Sequence, residues 1–400
     1  MERIYLDANA TTPVLPEVVE AMLPFFTASF GNPSSAHFSG QRTRSAVEKA
    51  RASVARLLHC SSKEIVFTSG GTEADNLALT GVLQQFLDDG QPAHLVTTEI
   101  EHHAVLYAAQ ALHSRGADVT YLTPTPDGRI DPAAFEAALK PSTALVSIML
   151  ANNETGVIQP VGKLARIAKA YNPAILVHTD AVQAAGKLPL DLSGEFKNVD
   201  LLSISGHKMY APQGTGALFV RSGVHIAPLL HGGPQERQRR AGTENVAGIV
   251  ALGKAADLAN EWLGSQGEAQ SSELETRSPA AALAQLRDRL ERTLLKTIPD
   301  AHLNGSADHR VPNTTNLRFD GIDAESLLIA LDMQGLSASF GAACQSGATE
   351  PSHVLLAMGL TPAQARASLR LSLTRLTTPA EIDRALEIIP AAVSRLRSLA

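Results

Sequence analysis

The strongest constraint on the fold is an alternation that runs through the first half of the chain. Short apolar runs recur at 64–68, 94–98, 119–122, 144–149, 175–178, 201–204 and 216–220. Stretches with helical spacing of apolar residues stand between several of them, at 72–87, 103–114 and 161–170. The runs are too short for ordinary helices and suit buried strands. Parallel neighbours need a crossover, and a helix supplies it. The pattern therefore predicts an α/β fold with a mainly parallel central sheet flanked by helices. In such sheets ligands collect beyond the carboxyl ends of the strands, so the residues that follow each run are where chemistry is expected.

After residue 220 the pattern changes. A helix is predicted over 244–263, then a Ser-, Gln- and Glu-rich surface insertion over 264–279. Helices at 280–295, 324–331 and 379–399 and strand-like runs at 315–319, 335–338 and 369–373 predict a smaller α+β domain. The expected division is a large domain over 13–260 and a small domain made of 1–12 and 261–400. With 44% hydrophobic and 18% charged residues among 400, the chain can bury a sizeable core. A net charge of -6 gives no electrostatic reason to expect nucleic acid or anionic membrane as partner. The two cysteines, Cys60 and Cys344, do not make a disulfide scaffold and point to a reducing compartment. The first residues lack the apolar stretch of a signal peptide. No apolar run approaches the ~20 residues of a membrane helix. A cytoplasmic location is expected.

Five segments carry candidate chemistry. Thr68-Ser69-Gly70-Gly71-Thr72-Glu73 follows a strand and opens a helix. Glycines let the backbone approach an anion, and a helix N-terminus offers free N–H groups, so this can be a phosphate cup. A turn capped by Ser69 or Thr72 is the plainer alternative. Ser205-Gly206-His207-Lys208 places a lysine at a strand end, where partial burial would favour the neutral amine that attacks an aldehyde. A loop lysine in solvent is the alternative. Asp180 in His178-Thr179-Asp180-Ala181-Val182-Gln183 can pair with a pyridinium nitrogen, and Gln183 can donate to a phenolic oxygen. Asp180 could equally cap the next helix. His102 in Glu101-His102-His103 can stack on an aromatic cofactor or move a proton. A metal site there lacks ligands at the right spacing. Cys344 lies in Ser339-Phe340-Gly341-Ala342-Ala343-Cys344-Gln345-Ser346-Gly347, a composition suited to a mobile loop, whereas Cys60 reads as a structural thiol. Arg370, in an apolar run, needs a partner, either a substrate carboxylate or an internal ion pair. The stretch 232–243, with Arg237, Arg239 and Arg240, reads as an irregular loop that is an anion site, an interface or a solvated face.

Taken in this order, the segments resemble the cysteine desulfurases of iron–sulfur cluster assembly, of the nitrogen-fixation type, within the class V aminotransferase-like enzymes. Further matching segments are Tyr5-Leu6-Asp7-Ala8-Asn9-Ala10-Thr11-Thr12, Phe30-Gly31-Asn32-Pro33-Ser34-Ser35 and Ala151-Asn152-Asn153-Glu154-Thr155-Gly156, so the likeness spans nearly the whole chain. The resemblance implies the type I fold of pyridoxal-phosphate (PLP) enzymes, with PLP as cofactor and L-cysteine as substrate. It implies that Lys208 carries the cofactor, that Gly71, Thr72, Ser205 and His207 hold its phosphate, and that Asp180 and Gln183 meet the ring nitrogen and phenolic oxygen. It further implies that His102 stacks on the ring, that Asn153 and Arg370 orient the substrate carboxylate, and that Cys344 takes the sulfur as a persulfide. Cys344 could also serve as a transient iron–sulfur ligand. Thr243 is expected to reach the neighbouring subunit's cofactor, which implies a homodimer, and an iron–sulfur scaffold or other sulfur acceptor is the expected partner. The chain departs from the pattern at Phe340, at Gln345 and at Gly71, where alanine is more usual. The competing readings are a selenocysteine lyase or another class V lyase or aminotransferase, and a non-catalytic sulfur-relay or scaffold subunit of the same fold.

Overall fold

The computed structural model describes residues 3–264, 278–340 and 350–399. Strands are β1 (Ile4–Tyr5), β2 (Ile65–Thr68), β3 (His94–Thr98), β4 (Asp118–Leu122), β5 (Thr143–Ser147), β6 (Leu176–Asp180), β7 (Leu201–Ser205), β8 (Gly216–Val220), β9 (Ala301–Leu303), β10 (Thr314–Phe319), β11 (Leu336–Ser337) and β12 (Ser368–Ser372). Helices are α1 (Pro16–Met22), α2 (Phe38–Leu57), α3 (Gly71–Asp88), α4 (His103–Ser114), α5 (Pro132–Ala138), α6 (Val161–Tyr171), α7 (Val246–Gly264), α8 (Pro279–Thr297), α9 (Ala324–Met333), α10 (His353–Ala357), α11 (Pro362–Arg366) and α12 (Pro379–Arg397).

Seven strands form one sheet in the order β2-β8-β7-β6-β5-β3-β4. All its pairings are parallel except those of β8 with β7 and β2. The expected mainly parallel sheet is therefore present. The connection from β7 to β8 contains no α-helix to carry a crossover, so β8 returns antiparallel. Side chains alternate between two cores as the pleat requires. Val66, Leu95, Leu145, Leu201 and Leu218 pack on the side of α3 and α4. Their successors Phe67, Val96, Val146, Leu202 and Phe219 pack on the side of α2, α5, α6 and α7.

Helix α2 is the helical stretch that ends just before Cys60. Its buried face mixes Val47, Val54 and Leu57 with the small or polar residues Gly40, Thr43, Ala50, Arg51, Ser53 and Ala55. The small side chains let α7 come very close: a Cβ on Gly253 would stand 2.5 Å from the Ala50 Cα. The loop after β8 is irregular, as expected. Glu236, Arg237 and Gln238 all have left-handed backbones, at φ 45°, 58° and 66°. For non-glycine residues such conformations are strained. The Glu236 carboxylate is buried and clamps the turn, accepting from both Nη atoms of Arg51 at 2.7 Å and from the Phe67 N–H at 2.9 Å.

The rest of the chain builds a second sheet, β12-β10-β9, antiparallel, with its own core that includes Leu290, Leu317, Leu331, Leu371 and Ile389. The predicted 335–338 strand is only Leu336–Ser337, and it pairs in parallel with β1. That pairing lays the N-terminal segment against β12, where Asp7 bridges to Ser372. No helix among the described residues is long and apolar enough to cross a membrane.

Candidate active site

The carboxyl ends of β2, β6 and β7 and the N-terminal segment meet around a cavity of about 420 Å³, a size that suits a cofactor with a small substrate. Gly71, Thr72, His102, Asn153, Asp180, Gln183, Ser205, His207, Lys208 and Arg370 all line it. Ten candidates scattered from 71 to 370 are thus brought together. Thr243 is exposed and is not among the lining residues. Cys344 and Gln345 lie outside the described residues, but Ser339 and His353, on either side of that segment, both line the cavity.

One end of the cavity suits an anion. Helix α3 starts at Gly71, and no side chain caps it, so neither Ser69 nor Thr72 takes the capping role. The Ser69 N–H instead goes to Glu73 at 2.7 Å, and Glu73 is held by Arg240 at 2.8 Å. Uncapped N–H groups at the positive end of an 18-residue helix, beside the hydroxyls of Thr72 and Ser205, are donors without an acceptor among the described residues. The glycine at 71 has a local reason. A Cβ there would come 2.8 Å from the Val182 Cγ2 and 3.5 Å from the Ser205 Cβ. Gly71→Ala should therefore weaken phosphate-end binding by about 1–2 kcal/mol through overpacking. Adding Val182→Ala should restore it. Equilibrium dialysis of PLP against the single and double variants checks this, and equal losses in both would refute the steric account.

At the other end stand the titratable groups. Lys208 follows β7 on a short turn, and its Nζ donates to the carbonyls of Asn9 at 2.5 Å and Ala10 at 2.7 Å. Burial, and then the Arg370 charge, bring its amine down to about 8. It is not the solvated loop lysine of the alternative reading. Asp180 ends β6 and accepts from the Val182 N–H at 2.8 Å. Burial pushes its carboxyl up to about 6. Beneath it lies Asp75, pushed well above the usual carboxylate range by burial and by the Asp180 charge. Both carboxyls resist ionisation there, and a cation placed opposite Asp180 would favour its anionic form. His102 caps α4, with its Nδ1 accepting from the Ala104 N–H at 3.1 Å. Burial lowers it to about 4, so at neutral pH it is uncharged with its proton on Nε2. His207 is similarly lowered to about 4 by burial, and its Nδ1 lies 3.2 Å from the Thr11 Oγ1.

Arg370 is only partly what its apolar surroundings led one to expect. Its Nη2 donates to Asp7 at 2.7 Å and its Nη1 to the Asn153 carbonyl at 3.0 Å, so the internal ion pair exists. Its buried Nε has no hydrogen-bond partner among the described residues. Asp7, Asn9, Asp75 and Lys187 received no role from the sequence. Asp7 and Asn9 stood in a segment quoted only for resemblance, and Asp75 sits three residues past Thr72 on the buried face of α3. Cys60 is a partly buried thiol against the large core, pushed up to about 12 by burial, as a structural cysteine should be.

The donor set fits PLP: an uncapped helix start for the phosphate, an amine of lowered pKa for the aldehyde, and a buried carboxylate without an ion-pair partner among the described residues for the ring nitrogen. Comparison with known proteins gives the family. The family model described as Aminotransferase class-V matches residues 4–385. The chain is 49% identical over 399 residues to a cysteine desulfurase of Trichormus azollae, covering 100% of this chain and 95% of that one. Among solved structures it is similar to a NifS-like protein, with TM-score 0.88 and 38% identity over 98% of this chain and 100% of that one. It is also similar to SspA in complex with cysteine, with TM-score 0.79 and 36% identity over 94% and 100% of the two chains. A match over nearly the whole length, at this identity, places the chain in the class-V aminotransferase family, among the cysteine desulfurases.

Proposed function

We propose that this protein takes sulfur from L-cysteine with PLP as cofactor, releasing L-alanine and leaving a persulfide on Cys344. The observation that carries the reading is the convergence of Lys208, Asp180, His102 and Arg370 on one cavity whose wall includes both Ser339 and His353. Five residues span at most about 17 Å, so Cys344 is within that reach of Ser339.

When bound, PLP supplies the electron sink that makes the Cα proton of cysteine removable. The chain supplies the rest. Gly71, Thr72, Ser205 and His207 would hold the phosphate, and Asp180 would meet the ring nitrogen. Gln183 donates to the phenolic oxygen. His102 lies against the ring with Nε2–H as a neutral donor. Arg370, steadied by Asp7, and Asn153 hold the substrate carboxylate. Lys208, as a free amine, takes the Cα proton. The Cys344 thiolate attacks the substrate sulfur, an S–S bond forms, and the C–S electron pair stays with carbon. Protonation of that carbon, and return of the Cα proton from Lys208, leave alanine. The 13–260 unit holds the cofactor, and 1–12 with 261–400 brings Arg370 and Cys344. Leu23, Phe26, Phe30 and Phe38 are exposed apolar side chains of the kind that a homodimer contact would cover, and exposed Thr243 would then reach the partner's site. A cytoplasmic protein feeding sulfur to an iron–sulfur scaffold or another acceptor fits this chemistry.

The test is alanine release from L-cysteine by the PLP-loaded protein, with dithiothreitol present. Alanine and sulfide in equal amounts are expected. No alanine from a protein that binds PLP would overturn the substrate assignment. A second outcome concerns the amine. With Lys208 at about 8, capture of PLP by the cofactor-free protein should speed up about tenfold per pH unit up to pH 8 and then level off. An ordinary lysine would keep gaining up to about 10.4. Stopped-flow absorbance from pH 6 to 10 reads the difference.

A further inference from the structure

One buried cation near the site has no part in the chemistry above. Lys187 is 8% exposed. No carboxylate lies within ion-pair distance of it among the described residues, and it is not among the residues lining the cavity. A lysine buried without a counter-charge is costly and needs a purpose. Its Nζ donates twice, to the Gln183 carbonyl at 3.1 Å and to the Gln183 Oε1 at 2.8 Å.

These contacts settle which way the Gln183 amide faces. An amide can be turned over with little change in shape, so its orientation must come from its partners. Lys187 acts on one side as a donor, which assigns Oε1 to it. On the other side is the Asn9 carbonyl, which can only accept, and the Gln183 Nε2 donates to it at 3.0 Å. The same Asn9 carbonyl accepts from Lys208 Nζ at 2.5 Å. The Gln183 NH2 and the Lys208 amine therefore share one acceptor and stand side by side at the cavity. An NH2 has two hydrogens. Asn9 takes one, and the other is available to an oxygen next to the carbon that Lys208 attacks.

We propose that Lys187 is a positioning residue that locks the Gln183 amide with its NH2, not its oxygen, toward the cofactor's phenolic oxygen. The inference rests on the PLP reading above. A donor at that oxygen favours its deprotonated form and so lowers the pH at which the cofactor–Lys208 linkage loses its proton. The other charged or titratable groups facing that linkage are Asp7, Asp180, Arg370, His102 and His207. None of them touches the Gln183 amide.

The experiment compares PLP-loaded wild type with Lys187→Met and Lys187→Gln. It reads the pH midpoint of the visible absorbance change and the rate of cofactor loss on dilution. Methionine fills the space but cannot donate, so the amide can turn. The midpoint should rise by about 0.5 unit or more, and cofactor loss should accelerate about fivefold or more. Glutamine keeps an N–H donor, so both values should stay near those of wild type. A packing role alone would lower the melting temperature of both variants and leave the midpoint unmoved; that result would overturn the proposal. If Lys187→Met does not fold, a Lys187→Gln protein whose midpoint rises like that of a freed amide would overturn it as well. A wild type without visible absorbance would instead refute the cofactor reading itself.

Discussion

Lys208→Ala should give a folded protein that has lost the visible absorbance of the cofactor–lysine linkage, and its alanine release should fall on the order of 1,000-fold or more. Two losses combine. The amine that fixes the cofactor is gone, and so is the base that takes the Cα proton, and base catalysis alone contributes about 100- to 10,000-fold. The geometry makes the prediction sharp, because a second buried amine is close by. Burial brings Lys187 down to about 7, so it is also available in neutral form. Its Nζ, however, is tied to Gln183 and does not line the cavity. Persistent absorbance in Lys208→Ala would mean that Lys187 or another amine carries the cofactor. Added primary amines should partly restore turnover if the missing function is that of a base. Spectra and alanine assays on the same samples separate these outcomes.

Cys344→Ser should show the converse. The absorbance should be that of wild type, because the PLP-facing groups are untouched, while alanine turnover should fall by about 1,000-fold or more. A hydroxyl cannot take over the thiolate's part, since the attacking species must be an anion that sulfur provides near neutral pH and oxygen does not. Cys60 is the internal control. Its thiol is pushed up to about 12 by burial in the large core, so thiolate is scarce there. Cys60→Ser should leave turnover per mole of bound cofactor unchanged. If Cys344→Ser desulfurates normally, sulfur goes directly to solvent or to an acceptor, and the persulfide assignment fails.

The α/β architecture was legible because each central strand is buried on both faces and leaves an uninterrupted apolar run. Strand ends moved by only a residue or two. Helix α2 was legible only as a helical stretch ending near Cys60, without its bounds: its packing face mixes Val47, Val54 and Leu57 with Gly40, Thr43, Ala50 and a buried Arg51, whose contribution depends on Glu236 far along the chain. The candidate site was legible wherever a motif closes or follows a strand, as with Asp180 at the end of β6 and Lys208 after β7. It was not legible where a residue works through a distant partner. Asp7 matters because Arg370 is beside it, and Lys187 because of the amide one turn earlier. The antiparallel return of β8 and the depth of Asp75 beneath Asp180 likewise belong to the assembled fold rather than to any local pattern.

The site is closed by residues from opposite ends of the chain, for Asp7 and Asn9 arrive beside β12 and its Arg370. During synthesis on the ribosome, the strand carrying Lys208 emerges long before Arg370 exists. Until β12 pairs with β10 and takes up Asp7, the nascent lysine lacks the neighbour that most lowers its proton affinity after burial itself. If the protein holds PLP as proposed, its capture would come late in the life of the new chain, and prematurely ended chains would be poor traps for it.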